Sequence, residues 1–279
     1  MKALLRIAIA MMALVAPALA FAVEPVAFLS DLKGDVVLDG QSRPAFLSEL
    51  LPGSKLSLTK DATAAVMYVV SGNEYSLKGP GEFTVGKVIV NAAKGPAPLK
   101  RTSALRANPA IVVQTSRSAT ASLRMRSLPP ATGPGKAISG PIYPANAQVA
   151  TFQPTLRWAG DAKDAGFTIV IASLDGKEVF RGRSRVTSLK LPVKLAPGVR
   201  YAWTVSAGDQ RLGEALFETM PVAAIQSADK ARSAARSFSD RVLVAMYLQD
   251  LGAAHDAREL WAELARERPD SPEIAALAR

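Results

Sequence analysis

Apolar and polar side chains alternate in short runs across residues 55–90, and this pattern constrains the fold more than any other feature of the chain. The series begins with Leu56 and Leu58, each flanked by polar residues. Strict alternation is typical of half-buried strands, because successive side chains of a strand point to opposite faces. Turn-forming residues separate the runs at 71–73 and 79–81. The stretch therefore predicts short antiparallel strands in a small curled sheet.

The first 22 residues have the pattern of a secretory signal peptide. Lys2 and Arg6 give a basic start, an apolar run covers residues 7–16, and two A-x-A cleavage patterns follow. A membrane anchor is the alternative, but the apolar run is shorter than the roughly 20 residues that span a bilayer. The chain contains no cysteine, which excludes disulfides and a lipid anchor on an N-terminal cysteine. We therefore expect export, and the Ala- and Arg-rich composition favours a Gram-negative periplasm.

The strand and turn motifs of the first unit carry a family resemblance. The segments KGDVVLDG (residues 33–40), LLPGSKLSL (50–58) and ATAAVMYVVSGNEYSLKGPGEFTV (62–85) occur in this order. This succession resembles the FecR-type periplasmic domain. The resemblance implies a small β-domain of the kind found in sensors that relay a signal to sigma-factor regulation, and in other envelope proteins.

A second group of strands is expected between residues 141 and 219, at a spacing that indicates a β-sandwich. Part of it resembles the L-x-P-G-x-x-Y-x-W-x-V pattern of fibronectin type III-like domains. The matching residues are Leu195, Pro197, Gly198, Tyr201, Trp203 and Val205. The resemblance implies that Tyr201 is a corner tyrosine bonded to the backbone upstream, and that Trp158 fills the core. The alternative is a sugar-binding platform formed by Trp158, Tyr201 and Trp203, and we favour the core.

The C-terminal region changes to helical periodicity. Ser239 is the expected N-cap of one helix, and Gly252 is expected to end it. The spacing of small, large and aromatic residues resembles one tetratricopeptide unit. The matching residues are Ala245, Leu248, Gly252, Ala257, Trp261 and Pro269. A single repeat buries little surface by itself, so we expect it to pack on the sandwich, on the preceding helix or on a partner.

Few residues suit catalysis. The only histidine is His255, and a Ser-His-Asp reading with its neighbour Asp256 is disfavoured because adjacent helix residues do not face each other. No phosphate-binding or dinucleotide motif is present. Two carboxylate pairs leave a carbohydrate-cleaving enzyme open as an alternative. They are Asp161 with Asp164 and Glu259 with Glu263. We expect no enzyme activity, no metal and no cofactor.

The uneven distribution of positive charge along the chain is a better candidate for a functional feature. The formal net charge is +10, and no acidic residue lies between Glu82 and Asp161. We call the following residues of that segment the basic stretch: Lys100, Arg101, Arg106, Arg117, Arg124 and Arg126. Export argues against nucleic acid, so we expect an anionic cell-wall polymer or an envelope protein as partner. A solvated basic surface without a specific ligand is the alternative.

The expected fold is mainly β with an α-helical tail. Its parts are a signal peptide (1–22), a FecR-like β-domain (23–98), a basic Pro/Gly-rich linker (99–140), a fibronectin type III-like sandwich (141–219) and a tetratricopeptide-like helical hairpin (220–279). The expected function is that of an exported, non-enzymatic envelope adaptor or scaffold. The alternative is a periplasmic sensing module that passes a signal to a membrane regulator through the helical tail.

Overall fold

The computed structural model describes residues 24–103, 105, 140–161 and 166–278. The expected signal peptide and most of the expected linker therefore lie outside the described residues. Within the described ranges, the chain is mainly β with four sheets and a C-terminal helical region, as the sequence predicted.

Ten strands between residues 27 and 102 form the N-terminal β-unit. They are β1 (Ala27–Lys33), β2 (Val36–Leu38), β3 (Gln41–Ser42), β4 (Glu49–Leu50), β5 (Lys55–Leu58), β6 (Thr63–Tyr68), β7 (Asn73–Lys78), β8 (Gly81–Val85), β9 (Val90–Lys94) and β10 (Leu99–Thr102). One sheet has the strand order β10-β7-β6-β1-β4, and the other has the order β3-β2-β5-β8-β9. All pairings between neighbours are antiparallel, as the alternating pattern predicted.

Alternation along β5 confirms the prediction of a half-buried strand. Leu56 and Leu58 are buried, whereas Lys55 and Ser57 are exposed. Alternation was also expected at Ala64, Val66 and Tyr68 of β6, but this prediction is wrong, because every residue from 64 to 68 is buried. Alternate side chains of β6 enter different cores, since Val66 packs within the N-terminal β-unit and Met67 packs against the helices.

Strand β10 lies in the segment that the sequence assigned to a linker. It pairs with β7, so that Lys100 is opposite Tyr75 and Arg101 is opposite Glu74. The N-terminal β-unit therefore extends to residue 102, and β10 is an edge strand of its sheet. Proline-rich composition around residues 96–98 concealed this short strand.

The second β-unit consists of eight strands in the described part of the chain. They are β11 (Gly140–Tyr143), β12 (Ala147–Val149), β13 (Thr155–Ala159), β14 (Phe167–Ser173), β15 (Glu178–Ser184), β16 (Ser188–Lys190), β17 (Arg200–Ala207) and β18 (Gln210–Thr219). A three-stranded sheet (β11-β13-β16) and a five-stranded sheet (β12-β18-β17-β14-β15) share one core. The sequence indicated only the end of β18, because the first part of this strand is charged and exposed.

The aromatic residues of this unit are core residues, as favoured from the sequence. Trp158, Tyr201 and Trp203 are each at most 3% exposed, which rules out a platform for a sugar. The hydroxyl of Tyr201 accepts a hydrogen bond from the backbone N–H of Ala196 at 3.0 Å, which is the upstream bond expected of a corner tyrosine. Trp203 Nε1 donates to the carbonyl of Pro144 at 2.8 Å, so its one polar atom is satisfied inside the core.

Four helices follow the second β-unit: α1 (Val222–Ala234), α2 (Phe238–Asp250), α3 (Ala254–Glu267) and α4 (Pro272–Leu277). Helices α2 and α3 pack on each other as the predicted hairpin. Between them, Gly252 has φ +85° and its N–H donates to the carbonyl of Gln249, while the N–H of Ala253 donates to Leu248. This is a Schellman motif, which confirms the predicted role of the glycine. No helix in the described residues is long and apolar enough to cross a membrane.

The N-cap of α2 differs from the prediction. Ser237 caps the helix in a capping box with Asp240, whereas Ser239 is buried inside the first turn. The hydroxyl of Ser30 in β1 donates to the hydroxyl of Ser239 at 2.9 Å. Ser239 therefore joins the helix to the N-terminal β-unit rather than starting the helix.

Helix α2 is enclosed on all sides, since each residue from 242 to 248 is buried. The core around it contains residues of both β-units and of all four helices. Phe28 and Phe46 enter it from the N-terminal β-unit, and Ala150 enters it from the second one. The helical region therefore packs on both β-units, and together they cover the hairpin of α2 and α3.

Candidate functional site

Of the basic stretch, only Lys100 and Arg101 are described by the structure. The other four, Arg106, Arg117, Arg124 and Arg126, lie outside the described residues. Lys100 is exposed on the edge strand β10, next to the exposed Leu99. Its ammonium is therefore accessible at the point where the chain enters the rest of the basic stretch.

Arg101 occupies a different environment from Lys100. Its guanidinium forms ion pairs with Glu74 of the neighbouring strand and with Asp240 of helix α2, the latter at 3.0 Å. Its side chain also donates to the hydroxyl of Ser237. The positive charge of Arg101 is therefore balanced within the protein, and the residue joins β10 to the N-terminus of α2.

The carboxylate of Asp240 is the centre of this polar network. It is fully buried and accepts hydrogen bonds from the hydroxyl of Ser103 at 2.6 Å and from the backbone N–H groups of Arg236 and Ser237. Burial alone would raise the pKa of Asp240, but the hydrogen bonds from Arg101 and Ser103 outweigh it and lower the pKa. The carboxylate of Asp240 forms its hydrogen bonds with groups of the protein itself, so we interpret this network as a structural link between β10 and α2.

A cleft of about 570 Å³ lies between the second β-unit and the helices, and we call it the interdomain cleft. The β-side is formed by Thr151, Gln153 and Pro154 of a loop, by Thr155 at the start of β13 and by Lys190 at the end of β16. The other wall comes from α1, α2 and α3. Clefts of about 300–1,000 Å³ where folded units meet are a common location for small-molecule sites. The sequence singled out His255, Asp256, Glu259 and Glu263, which line the cleft, but it did not indicate the cleft itself, because the lining comes from segments far apart in the chain.

Most charged side chains of the interdomain cleft are paired. Arg232 of α1 bonds to Asp256 at 2.8 Å and to Asp229 at 3.1 Å. The carboxylate of Asp256 also accepts the backbone N–H of Ala150 at 2.7 Å. This arrangement fixes α1 and α3 against the second β-unit and leaves these groups little capacity for a ligand.

Two further ion pairs lie at the same cleft. Arg241 of α2 holds Glu267 of α3 in a two-point contact. Arg157 of β13 holds Glu259 of α3 in another, with distances of 2.5 and 2.7 Å. Two-point guanidinium–carboxylate contacts fix the orientation of both groups.

Glu263 and Lys190 differ from these groups. In the described residues, neither side chain has a hydrogen bond or an ion pair, although Arg157 and Arg241 act on Glu263 through space. Lys190 belongs to the β-side and Glu263 to α3, so opposite walls of the interdomain cleft carry opposite unpaired charges. The sequence suggested Glu263 only as half of a carboxylate pair on a helix surface.

His255 forms an uncharged part of the wall. It is buried against the ring of Tyr143, with 4.8 Å between ring centroids, and its Nδ1 has no partner in the described part of the chain. Burial lowers the pKa of His255, although the neighbouring carboxylates of Asp256 and Glu259 act in the opposite direction. The ring is therefore neutral at pH 7.

The two carboxylate pairs on which the alternative of a carbohydrate-cleaving enzyme depended lie in different places. Glu259 and Glu263 both line the interdomain cleft, but Glu259 is held by Arg157. Asp161 is described and has an interaction partner, whereas Asp164 lies outside the described residues. Among the described side chains, no group of three or more His, Cys, Asp or Glu is arranged to hold a metal ion.

Comparison with known proteins gives no relative for this chain: no model of a protein family matches it, and no curated protein matches its sequence.

Proposed function

We propose that this chain is an exported, non-enzymatic adaptor of the Gram-negative envelope, which binds an anionic cell-wall polymer or an envelope protein through its basic stretch. The observation that supports this most is the position of Lys100. It is exposed on an edge strand, at the start of a segment that carries many cations and no acidic residue. Arg101 is partly exposed, but its charge is paired with Glu74 and Asp240, so the proposal assigns binding to the other five residues of the basic stretch.

The packing of the helical tail supports an adaptor over a sensing module. A sensing module that signals through the tail needs an accessible apolar face, and Trp261 is the largest side chain of that face. Trp261 is fully buried, and its ring contacts Phe46 of the N-terminal β-unit. The tail then serves as an internal support that holds two β-units in one arrangement, and the proposal assigns contact with a partner to the basic stretch and not to the tail.

Electrostatics explains how such a contact works. Exposed cations attract an anionic polymer at long range, and salt screens that attraction over about 8–10 Å at physiological ionic strength. Binding through the basic stretch therefore weakens as salt concentration rises. Binding through an apolar surface would not weaken in this way.

Co-sedimentation of residues 23–279 with purified cell-wall sacculi at low and high salt tests the proposal. We expect retention at low salt and release at high salt. A double charge reversal, Arg124→Glu with Arg126→Glu, should reduce retention at low salt and flatten its salt dependence.

The matched control is Arg183→Glu with Arg185→Glu. This pair has the same spacing in sequence, and both side chains are exposed in the second β-unit. The control should sediment like the unchanged protein. Equal retention of the Arg124/Arg126 variant, or no retention at either salt, would refute binding through the basic stretch. The second result would favour a protein partner.

A further inference from the structure

Two exposed charges at the interdomain cleft, those of Lys190 and Glu263, form no hydrogen bond or ion pair within the described part of the chain. Seven other charged side chains at or beside it are paired with one another, so the unpaired ammonium of Lys190 and carboxylate of Glu263 differ from the charges around them. A ligand that brings one negative and one positive group would complete the pairing on both walls. Charged hydrogen bonds of this kind are stronger than neutral ones.

The remaining lining is also suited to a small polar molecule. Thr151, Gln153 and Thr155 line the β-side. The Thr151 hydroxyl accepts the backbone N–H of Gln153 at 3.2 Å and the Gln153 amide nitrogen donates to the carbonyl of Leu191 at 3.1 Å, so the Thr155 hydroxyl and the Gln153 amide oxygen are the groups offered to a ligand. Leu260 and the neutral ring of His255 provide a less polar part of the opposite wall. The volume of about 570 Å³ falls in the range of small-ligand sites.

We propose that the interdomain cleft binds a short peptide with free termini. Its carboxylate contacts Lys190, its ammonium contacts Glu263, and the hydroxyl and amide groups of the β-side bond to its backbone. This site is separate from the basic stretch and goes beyond the adaptor function, since the adaptor proposal concerns a polyanion and not a zwitterion.

The geometry gives a reason for the selectivity. Among the described residues that line the cleft, Arg232 and Arg241 are paired with carboxylates of the protein, so a ligand with negative charge alone has Lys190 as its unpaired cation and also meets the unpaired carboxylate of Glu263. A ligand with positive charge alone can pair with Glu263, but it also meets the unpaired ammonium of Lys190. Like charges brought close without compensation oppose binding, so both classes are disfavoured relative to a zwitterion.

Isothermal titration of the protein with alanine, dialanine, trialanine and pentaalanine tests the proposal. The key comparison is trialanine against its N-acetylated, C-amidated form, which has the same backbone without the two charges. We expect binding of at least one free peptide, and binding at least about tenfold weaker for the blocked form. Equal binding of the blocked form, or no binding of any free peptide, would overturn the proposal.

Two charge-neutralising variants locate the site. Lys190→Gln and Glu263→Gln should each weaken binding of the free peptide about tenfold. Lys194→Gln and Asp209→Asn are the matched controls, because both residues are exposed and outside the cleft lining. An equal loss of affinity in the controls would contradict the assignment. The titration contains no wall material, so its failure leaves the sacculus experiment to be judged independently.

Discussion

The rings of Phe46 and Trp261 are perpendicular, with 6.2 Å between their centroids. Phe46 belongs to the N-terminal β-unit and Trp261 to helix α3, so this contact joins the N-terminal β-unit to the helical region. Both residues are buried in the core that surrounds α2. Stability of the helical region should therefore depend on residues of the N-terminal β-unit.

Trp261→Ala and Phe46→Ala should each lower the free energy of unfolding by about 3–5 kcal/mol, the range for removal of a buried aromatic side chain. The double variant should reveal a coupling of about 0.5–1.5 kcal/mol, because either single change already removes the ring contact. Chemical denaturation measures all three values. Val186→Ala is the control, since Val186 is 64% exposed, and it should change stability by less than about 0.5 kcal/mol. Strictly additive losses would show that the two rings do not interact.

Asp240→Asn should destabilise the protein by about 3 kcal/mol, the lower end of the range for breaking a buried ion pair. The lower end applies because Arg101 keeps Glu74 as a second partner. Since the folded pKa of Asp240 is lowered, its charge stabilises the fold above the unfolded pKa, and this contribution is lost as pH falls through the folded pKa.

The free energy of unfolding, measured by chemical denaturation at a series of pH values from neutral to strongly acidic, checks the role of Asp240. The Asn variant should lose stability less steeply at acidic pH than the unchanged protein. Asp209→Asn is the control, because Asp209 is exposed and unpaired in the described residues. Parallel acid profiles for the unchanged protein and the Asp240 variant would argue against the buried network.

His255 should make the free energy of unfolding depend on pH near the ordinary histidine pKa of about 6.5. No other type of side chain in this chain has its ordinary pKa in that range. The chain has one histidine, and burial lowers its pKa in the folded state. The unfolded protein therefore binds a proton more readily. Stability is complete above the unfolded pKa of about 6.5 and falls below it, with a limiting slope of about 1.4 kcal/mol per pH unit.

Denaturation of the unchanged protein and of His255→Gln from pH 7.5 to pH 5 measures this effect. The Gln variant should show a flatter profile over this range, whatever its absolute stability. The groups around the ring are Asp256 and Glu259 on its own helix and Arg157 and Tyr143 on the second β-unit. An unchanged slope in the variant would mean that the ring is not desolvated as the structure indicates.

Gly252→Ala should lower the free energy of unfolding by about 1–2 kcal/mol, because a side chain is disfavoured at a positive φ. An added Cβ would meet nothing closer than Met220 Cε at 3.9 Å, so the cost comes from the backbone and not from a clash. Gly252→Asn should cost less, since asparagine tolerates this conformation. Thermal unfolding of both variants checks the order, and a larger loss for Asn than for Ala would contradict the backbone explanation.

Sequence patterns predicted the features that depend on neighbours in the chain. Alternation located β5 and β8, Gly252 was expected to end α2, and the resemblance to fibronectin type III-like domains implied the bond of Tyr201 to the upstream backbone. Each depends on contacts between residues a few positions apart or on the repeat of a strand or helix. Local periodicity contains this information directly.

Long-range contacts account for what the sequence did not predict. Arg101 was expected to bind a partner, yet it is paired with Asp240, which is 139 positions away. Ser239 was expected to cap a helix, yet it bonds to Ser30, which is 209 positions away. Such pairs have no signature in local composition, because the packing of the helices on the β-units brings them together.

The sequence by itself determined the strand-rich body, the helical hairpin and the concentration of positive charge, since these follow from side-chain order along the chain. Only the tertiary structure decided which strands and helices are buried on every face, as β6 and α2 are, and which charged side chains are paired. Lys190 and Glu263 illustrate the difference. They are an ordinary lysine and glutamate in sequence, and they form opposite walls of one cleft because α3 packs against the second β-unit.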